Sequence, residues 1–108
     1  MSKAIVVFVT AGSIDEARKI GRTLVEEGLV ACCNISQSIE SIFKWQGKTN
    51  VENEVLIILK TKEDLFNAVE KRVKQLHSYE VPEIIALPVI QGSKNYLDWI
   101  AKETITLQ

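Results

Sequence analysis

The chain has one histidine, two cysteines that sit side by side, two prolines and five glycines in 108 residues. Each scarcity removes a class of function. A structural zinc site needs several Cys or His donors at ordered spacing, and there is no CxxC, no HxxxH and no second histidine. Neighbouring residues on a strand point to opposite faces, so a bond between Cys32 and Cys33 requires strong distortion. Free thiols are expected, which suits a reducing compartment. A phosphate-cradling GKS or GKT signature is missing. No apolar run approaches the ~20 residues of a membrane span. The opening "AIVVFVT" is short and lacks a small-residue cleavage site, so it reads as a first strand and not as a signal peptide. A cytoplasmic protein with no membrane partner is expected. The 13 basic and 14 acidic residues are interspersed, with a net charge of −1. That leaves no basic patch for nucleic acid.

What is present describes one globular domain over 1–108, with 46% hydrophobic and 25% charged residues. "KAIVVFV", 3–9, is β-branched and short, a strand. Ser13 with Glu16 three residues on forms a capping box, and Ile14, Ala17, Leu24 and Val25 recur at helical spacing. Gly28 stands where a left-handed residue ends a helix, so 13–27 is an amphipathic helix. Residues 29–45 form a second strand, bent or bulged near Asn34–Ser38, where β-propensity falls. "QGKTN" is a turn, and 51–60 a third strand, so 29–60 is a long hairpin. Thr61 caps a second helix with Leu65, Val69, Val73 and Leu76 on one face. Pro82 opens a strand over 82–90, and Gly92-Ser93 opens a short last helix. The order β-α-β-β-α-β-α describes an α+β, ferredoxin-like split βαβ sandwich with a four-stranded antiparallel sheet. A doubly wound sheet needs more alternating strand–helix units, and a coiled coil needs sustained heptads.

In this architecture two helices cover one sheet face, and the other should read polar at every second position. It does not. Val6 and Phe8 alternate with Ile5, Val7 and Val9. Leu56 and Ile58 alternate with Val55, Ile57 and Leu59. Ile84, Ala86 and Ile90 alternate with Ile85, Leu87 and Val89. Both faces are apolar in three strands, and the terminal helix is too short to shield the second. Exposed apolar surface costs about 25 cal/mol per Å², so further copies of the chain are expected to cover it.

His77 ends the second helix, where it serves either as a cap favoured by the helix dipole or as a metal ligand. Glu80, Glu83 or a cysteine from another strand are its candidate co-ligands. Cys32 and Cys33 are soft donors, or simply core thiols. No Asn or Asp is placed to orient a Cys–His pair and no oxyanion loop is visible, so no catalytic residue is assigned. Glu52, Glu54 and Lys60 share one face of the third strand with Leu56 and Ile58. They read as an interface rim of ion pairs or as a cleft between subunits. Trp45 either packs or lines such a cleft, and Tyr79 either caps its turn or anchors the cleft through its hydroxyl.

"VACCNI", "KWQGK", "EVLIILKT", "HSYEVPEIIALPV" and "YLDWI", in this order and spacing, closely resemble the CutA family of divalent-cation tolerance proteins. The resemblance runs over essentially the whole chain. It implies a ferredoxin-like fold, a cytoplasmic homotrimer with clefts between subunits, and a likeness to PII signalling proteins. It also implies a link to copper(II) or other divalent metals, with no catalytic activity. The copper ligand set it implies is a cysteine in the first strand and two adjacent histidines ending the second helix. Those positions here are Val9, Leu76 and His77, so that set cannot form. The family's "HPY" is "HSY" here. Trp45, Gly47, Lys48, Glu54, Lys60, Tyr79 and Glu83 match positions around the inter-subunit cleft. The leading expectation is a non-enzymatic trimeric cation-tolerance protein. A PII-like sensor that takes a small anion or metabolite in the cleft is the alternative, and a stable protein-interaction scaffold is the third.

Overall fold

Helical and strand periods alternate along the chain, and the elements follow them. The structure, a computed structural model, describes residues 2–107. Its strands are β1 (Ala4–Ala11), β2 (Cys32–Trp45), β3 (Lys48–Lys62) and β4 (Ile84–Pro88); its helices are α1 (Ile14–Glu26), α2 (Phe66–Leu76) and α3 (Lys94–Glu103). The sheet order is β2-β3-β1-β4, with every neighbouring pair antiparallel. This is the split βαβ arrangement expected from the element order.

Register decides which side chains meet. Val7 faces Leu59 and Val9 faces Ile57 across β1 and β3. These residues lie on one face with Ile5 and Val55, and they bury against Ala17, Ile20 and Leu24 of α1 and Val69 and Val73 of α2. The cluster is closed within one chain. Gly21 lets α1 approach β2, since a Cβ there would stand 2.4 Å from Cys33 Sγ. Ser13 caps α1, its hydroxyl accepting from the Glu16 amide at 3.1 Å. The reciprocal bond of a capping box is replaced: the Glu16 carboxylate reaches the amides of Gly12 and Ser78 instead. Gly28, at φ +72°, ends α1. Its amide bonds to Val25 O and the Leu29 amide to Leu24 O, the paired bonds of a Schellman motif.

Several expected boundaries move. Thr61 does not cap α2. It is a buried strand residue whose hydroxyl donates to Leu29 O at 2.7 Å, as suits a β-branched side chain. A 3₁₀ turn, Glu63–Leu65, intervenes before α2. Its free amides are met by the N-terminal segment, Glu63 bonding to Lys3 O and Asp64 to Ser2 Oγ. The hairpin turn shrinks to Gln46-Gly47, both at positive φ (52° and 77°), as a two-residue primed turn requires. Lys48–Asn50 therefore join β3. At the other end β4 is five residues long and leaves Pro82 outside it; Pro88 is tolerated because β4 is an edge strand.

The irregularity expected in β2 is a bulge. Ile35 faces Ile57, but Ser38 already faces Val55. Two residues, Ser36 and Gln37, thus oppose Leu56 alone. The Leu56 amide donates there to Ser36 Oγ at 2.9 Å. Beyond the bulge the odd residues of β2 face the even residues of β3: Ile39 meets Glu54, Ser41 meets Glu52, and Phe43 meets Asn50.

The second sheet face carries Val6, Phe8, Leu56, Ile58, Ile85 and Leu87 by register. α3 lies against β3 and β1, and Tyr96 meets the Cys32 thiol, on the face opposite α1. One ten-residue helix covers part of this surface. Ile85 stays 52% exposed and Leu87 48%.

Candidate functional site

The second face runs into a groove along the outer half of the long hairpin, towards its turn. The bulge turns Phe43 and Trp45 towards the side of β3 that carries Glu52 and Glu54. The segment that follows α2 folds over the same place. Phe43, Trp45, Asn50, Glu52, Glu54, Tyr79, Glu80 and Val81 enclose about 430 Å³, and an adjoining depression reaches Thr10 and Glu83. The Tyr79 hydroxyl donates to Glu54 Oε2 at 3.1 Å. Glu54 is only 8% exposed. Among the described residues that hydroxyl is its one hydrogen-bond partner, and no Lys or Arg forms an ion pair with Glu52, Glu54, Glu80 or Glu83. Burial pushes the Tyr79 hydroxyl up to about 12, helped by the hydrogen bond to Glu54 and by the charges of Glu54, Glu16 and Glu52. The groove is therefore a negative field between aromatic walls.

His77 fixes the segment that carries Tyr79. Its side chain is fully buried. Nε2 lies 2.7 Å from Thr10 O, which can only accept, so Nε2 carries the proton and donates. Nδ1 accepts the Tyr79 amide at 3.0 Å, and the two rings lie 4.7 Å apart. Next to it, burial opposes ionisation of Glu16, but the hydrogen bonds from Ser78 and Gly12 outweigh it and hold the carboxyl below its usual range.

The residues expected as metal ligands do not converge. Both His77 nitrogens are engaged, which leaves no lone pair for an ion. Cys33 packs on Gly21 of α1, and burial, with Cys32 beside it, pushes its thiol up to about 11 despite Lys60, away from the thiolate that ligates. Cys32, on the other face, sits 3.7 Å from Asn34 Oδ1 and 4.0 Å from Lys60 Nζ. Among the described residues no group of three His, Cys, Asp or Glu could hold a metal ion. The donor set does not fit a coordinated copper centre.

Of the cleft residues expected from the sequence, the structure gathers Trp45, Glu54, Tyr79 and Glu83 around the groove. Lys60 is not with them. It lies further along β3, paired with Cys32 in register and bonded to Asn34. Sequence reading missed Phe43 and Val81 as groove walls. The register that brings Phe43 in depends on how many residues the bulge absorbs, which β-propensity does not report.

Residues 5–103 match the family model described as CutA1 divalent ion tolerance protein. The chain belongs to that family. It is 46% identical over 99 residues to the "Divalent-cation tolerance protein CutA" of Thermus thermophilus, spanning 92% of this chain and 96% of that protein. It is 41% identical over 101 residues to the Arabidopsis thaliana "Protein CutA, chloroplastic", spanning 94% of this chain and 56% of the plant protein. The crystal structure of CutA1 from Oryza sativa superposes with a TM-score of 0.94 at 39% identity, covering 96% of this chain and 95% of that one. CutA1 relatives therefore share this fold, and among the described residues no helix is long and apolar enough to cross a membrane.

Proposed function

We propose that this CutA1 member is a non-enzymatic, self-associating cytoplasmic protein whose acidic groove draws cations, divalent metal ions among them, to a boundary between copies. The observation that carries the reading is Glu54. Its carboxylate has one neutral donor, the Tyr79 hydroxyl, and no cation within ion-pair distance, and its second oxygen opens into the groove, where an entering cation meets it. The apolar face that ends at this carboxylate supports assembly, and three copies is the number the family resemblance implies. An acid-lined groove opposes an anionic ligand, so the anion-sensor reading loses its support here.

A metal ion drawn to this groove is held by the field of the carboxylates and not by His77. Copper(II) titrated calorimetrically into wild type, His77→Ala and Glu54→Gln tests this. Equal isotherms for wild type and His77→Ala, with weaker binding by Glu54→Gln, are expected. A His77→Ala isotherm that alone loses its heat would return the ion to the histidine and end the groove reading.

A further inference from the structure

We propose that the groove is a binding site for a linear aliphatic polyamine, a flexible organic cation bearing two or more ammonium groups. The inference rests on the cation reading of the groove and narrows it to one chemical class. Three features choose the class. The first is the mixture of walls. A hydrated metal ion gains little from Trp45, which is 53% exposed, or from Phe43, whereas an alkyl ammonium uses both ends of its chemistry there. Its methylenes cover the aromatic surface, and its charge lies over the ring face.

The second is hydrogen bonding. Glu54 Oε2 is taken by the Tyr79 hydroxyl, and Oε1 has no partner among the described residues. That free acceptor asks for an N–H donor, which a primary ammonium has and a quaternary one lacks. The third is spacing. Glu52 and Glu54 lie on the same face of β3, opposite Ser41 and Ile39. Two residues along a strand place them about 7 Å apart. A diamine with a four-carbon link spans that separation, and Glu80, on the far wall, meets a further ammonium. The volume of about 430 Å³ fits a chain of this length within the usual range of small-molecule sites. A rigid chelate of three ligating side chains, which a bare divalent ion needs, is missing among the described residues.

Spermidine is the probe. It is titrated into the assembled wild-type protein in physiological salt, with magnesium chloride at matched ionic strength as control, and followed by calorimetry and tryptophan emission. Saturable spermidine binding that magnesium does not displace is expected. Glu54→Gln keeps an acceptor for Tyr79 and should weaken binding on the order of tenfold. Trp45→Leu should weaken it about fivefold and abolish the emission change, since Trp99 lies outside the groove. Displacement by magnesium at equal charge would mean only a screened field and would overturn the proposal. So would absent spermidine binding together with loss of mass in Glu54→Gln, because a basic side chain of a neighbouring copy then fills the groove. Copper that binds in a Glu54-dependent way while spermidine does not overturns the polyamine alone; failure of both overturns the cation reading as well.

Discussion

The two faces of the sheet are built from the same residue types and meet opposite fates. Under α1 and α2, Ile5, Val7, Val9, Val55, Ile57 and Leu59 are buried by their own chain. On the other side, Val6, Phe8, Leu56 and Ile58 are half-buried, and Ile85 and Leu87 stay open beside a single short helix. Hydrophobicity along a strand therefore reports that a surface wants cover, not which molecule supplies it. The closed face holds one polypeptide together. The open face is apolar surface that its own chain leaves uncovered, and the acidic groove continues it along the hairpin arm.

Truncating Ile57 to Ala should break the closed face and cost about 4 kcal/mol of stability, the usual range for an aliphatic removed from a tight core. Urea unfolding at fixed protein concentration measures it, and a loss below about 1 kcal/mol would mean that the core repacks. Leu87→Glu addresses the open face. A carboxylate placed in a covered apolar contact costs about 3 kcal/mol, so light scattering should show the assembly falling to single 12.1 kDa chains with far-UV circular dichroism unchanged. An intact assembly in this variant would leave the second face without the role assigned to it.

The smallest effect lies at the joint between the faces. Glu16 clamps the Ser78 amide beside buried His77, and its folded carboxyl titrates below the unfolded one. The unfolded chain thus takes up this proton more readily. The stabilisation is fully present above the ordinary carboxylate value and is lost as pH falls through the lower, folded value. Unfolding midpoints from pH 7 down to pH 3 should therefore decline in wild type, and Glu16→Gln should flatten part of that decline. Parallel pH profiles would show that the clamp carries no proton linkage.

Much of this architecture was legible in the sequence because its signals are local. Ser13 and Gly28 punctuate α1, and the paired apolar parities of β1, β3 and β4 announce both sheet faces. Thr61 misled for a physical reason. A threonine before "KED" has the chemistry of a cap, but burial against Leu29 O outweighs it, and Ser2 serves the helix from sixty residues away. His77 misled in the same manner. Nothing in "LHSYE" says that both ring nitrogens are engaged, one by Thr10 from a distant strand. The groove was half legible. Trp45, Glu54, Tyr79 and Glu83 were named, whereas Lys60 fell outside because register places it with Cys32.

The extra residue at Ser36-Gln37 works as a gear tooth for the hairpin. Upstream of it Cys33 and Ile35 share a side with Leu59 and Ile57; downstream Ile39 and Phe43 share a side with Glu54 and Asn50. An evenly alternating strand of the same length would send Phe43 and Trp45 to the side of Cys33 and bring Ile42 and Lys44 beside Glu52. The pocket would then trade two rings for an ammonium tethered to its own wall. Deleting either Ser36 or Gln37 instead straightens the strand and leaves Phe43 opposite Asn50, so the rings tolerate a shorter arm but not an unbroken pleat of the present length.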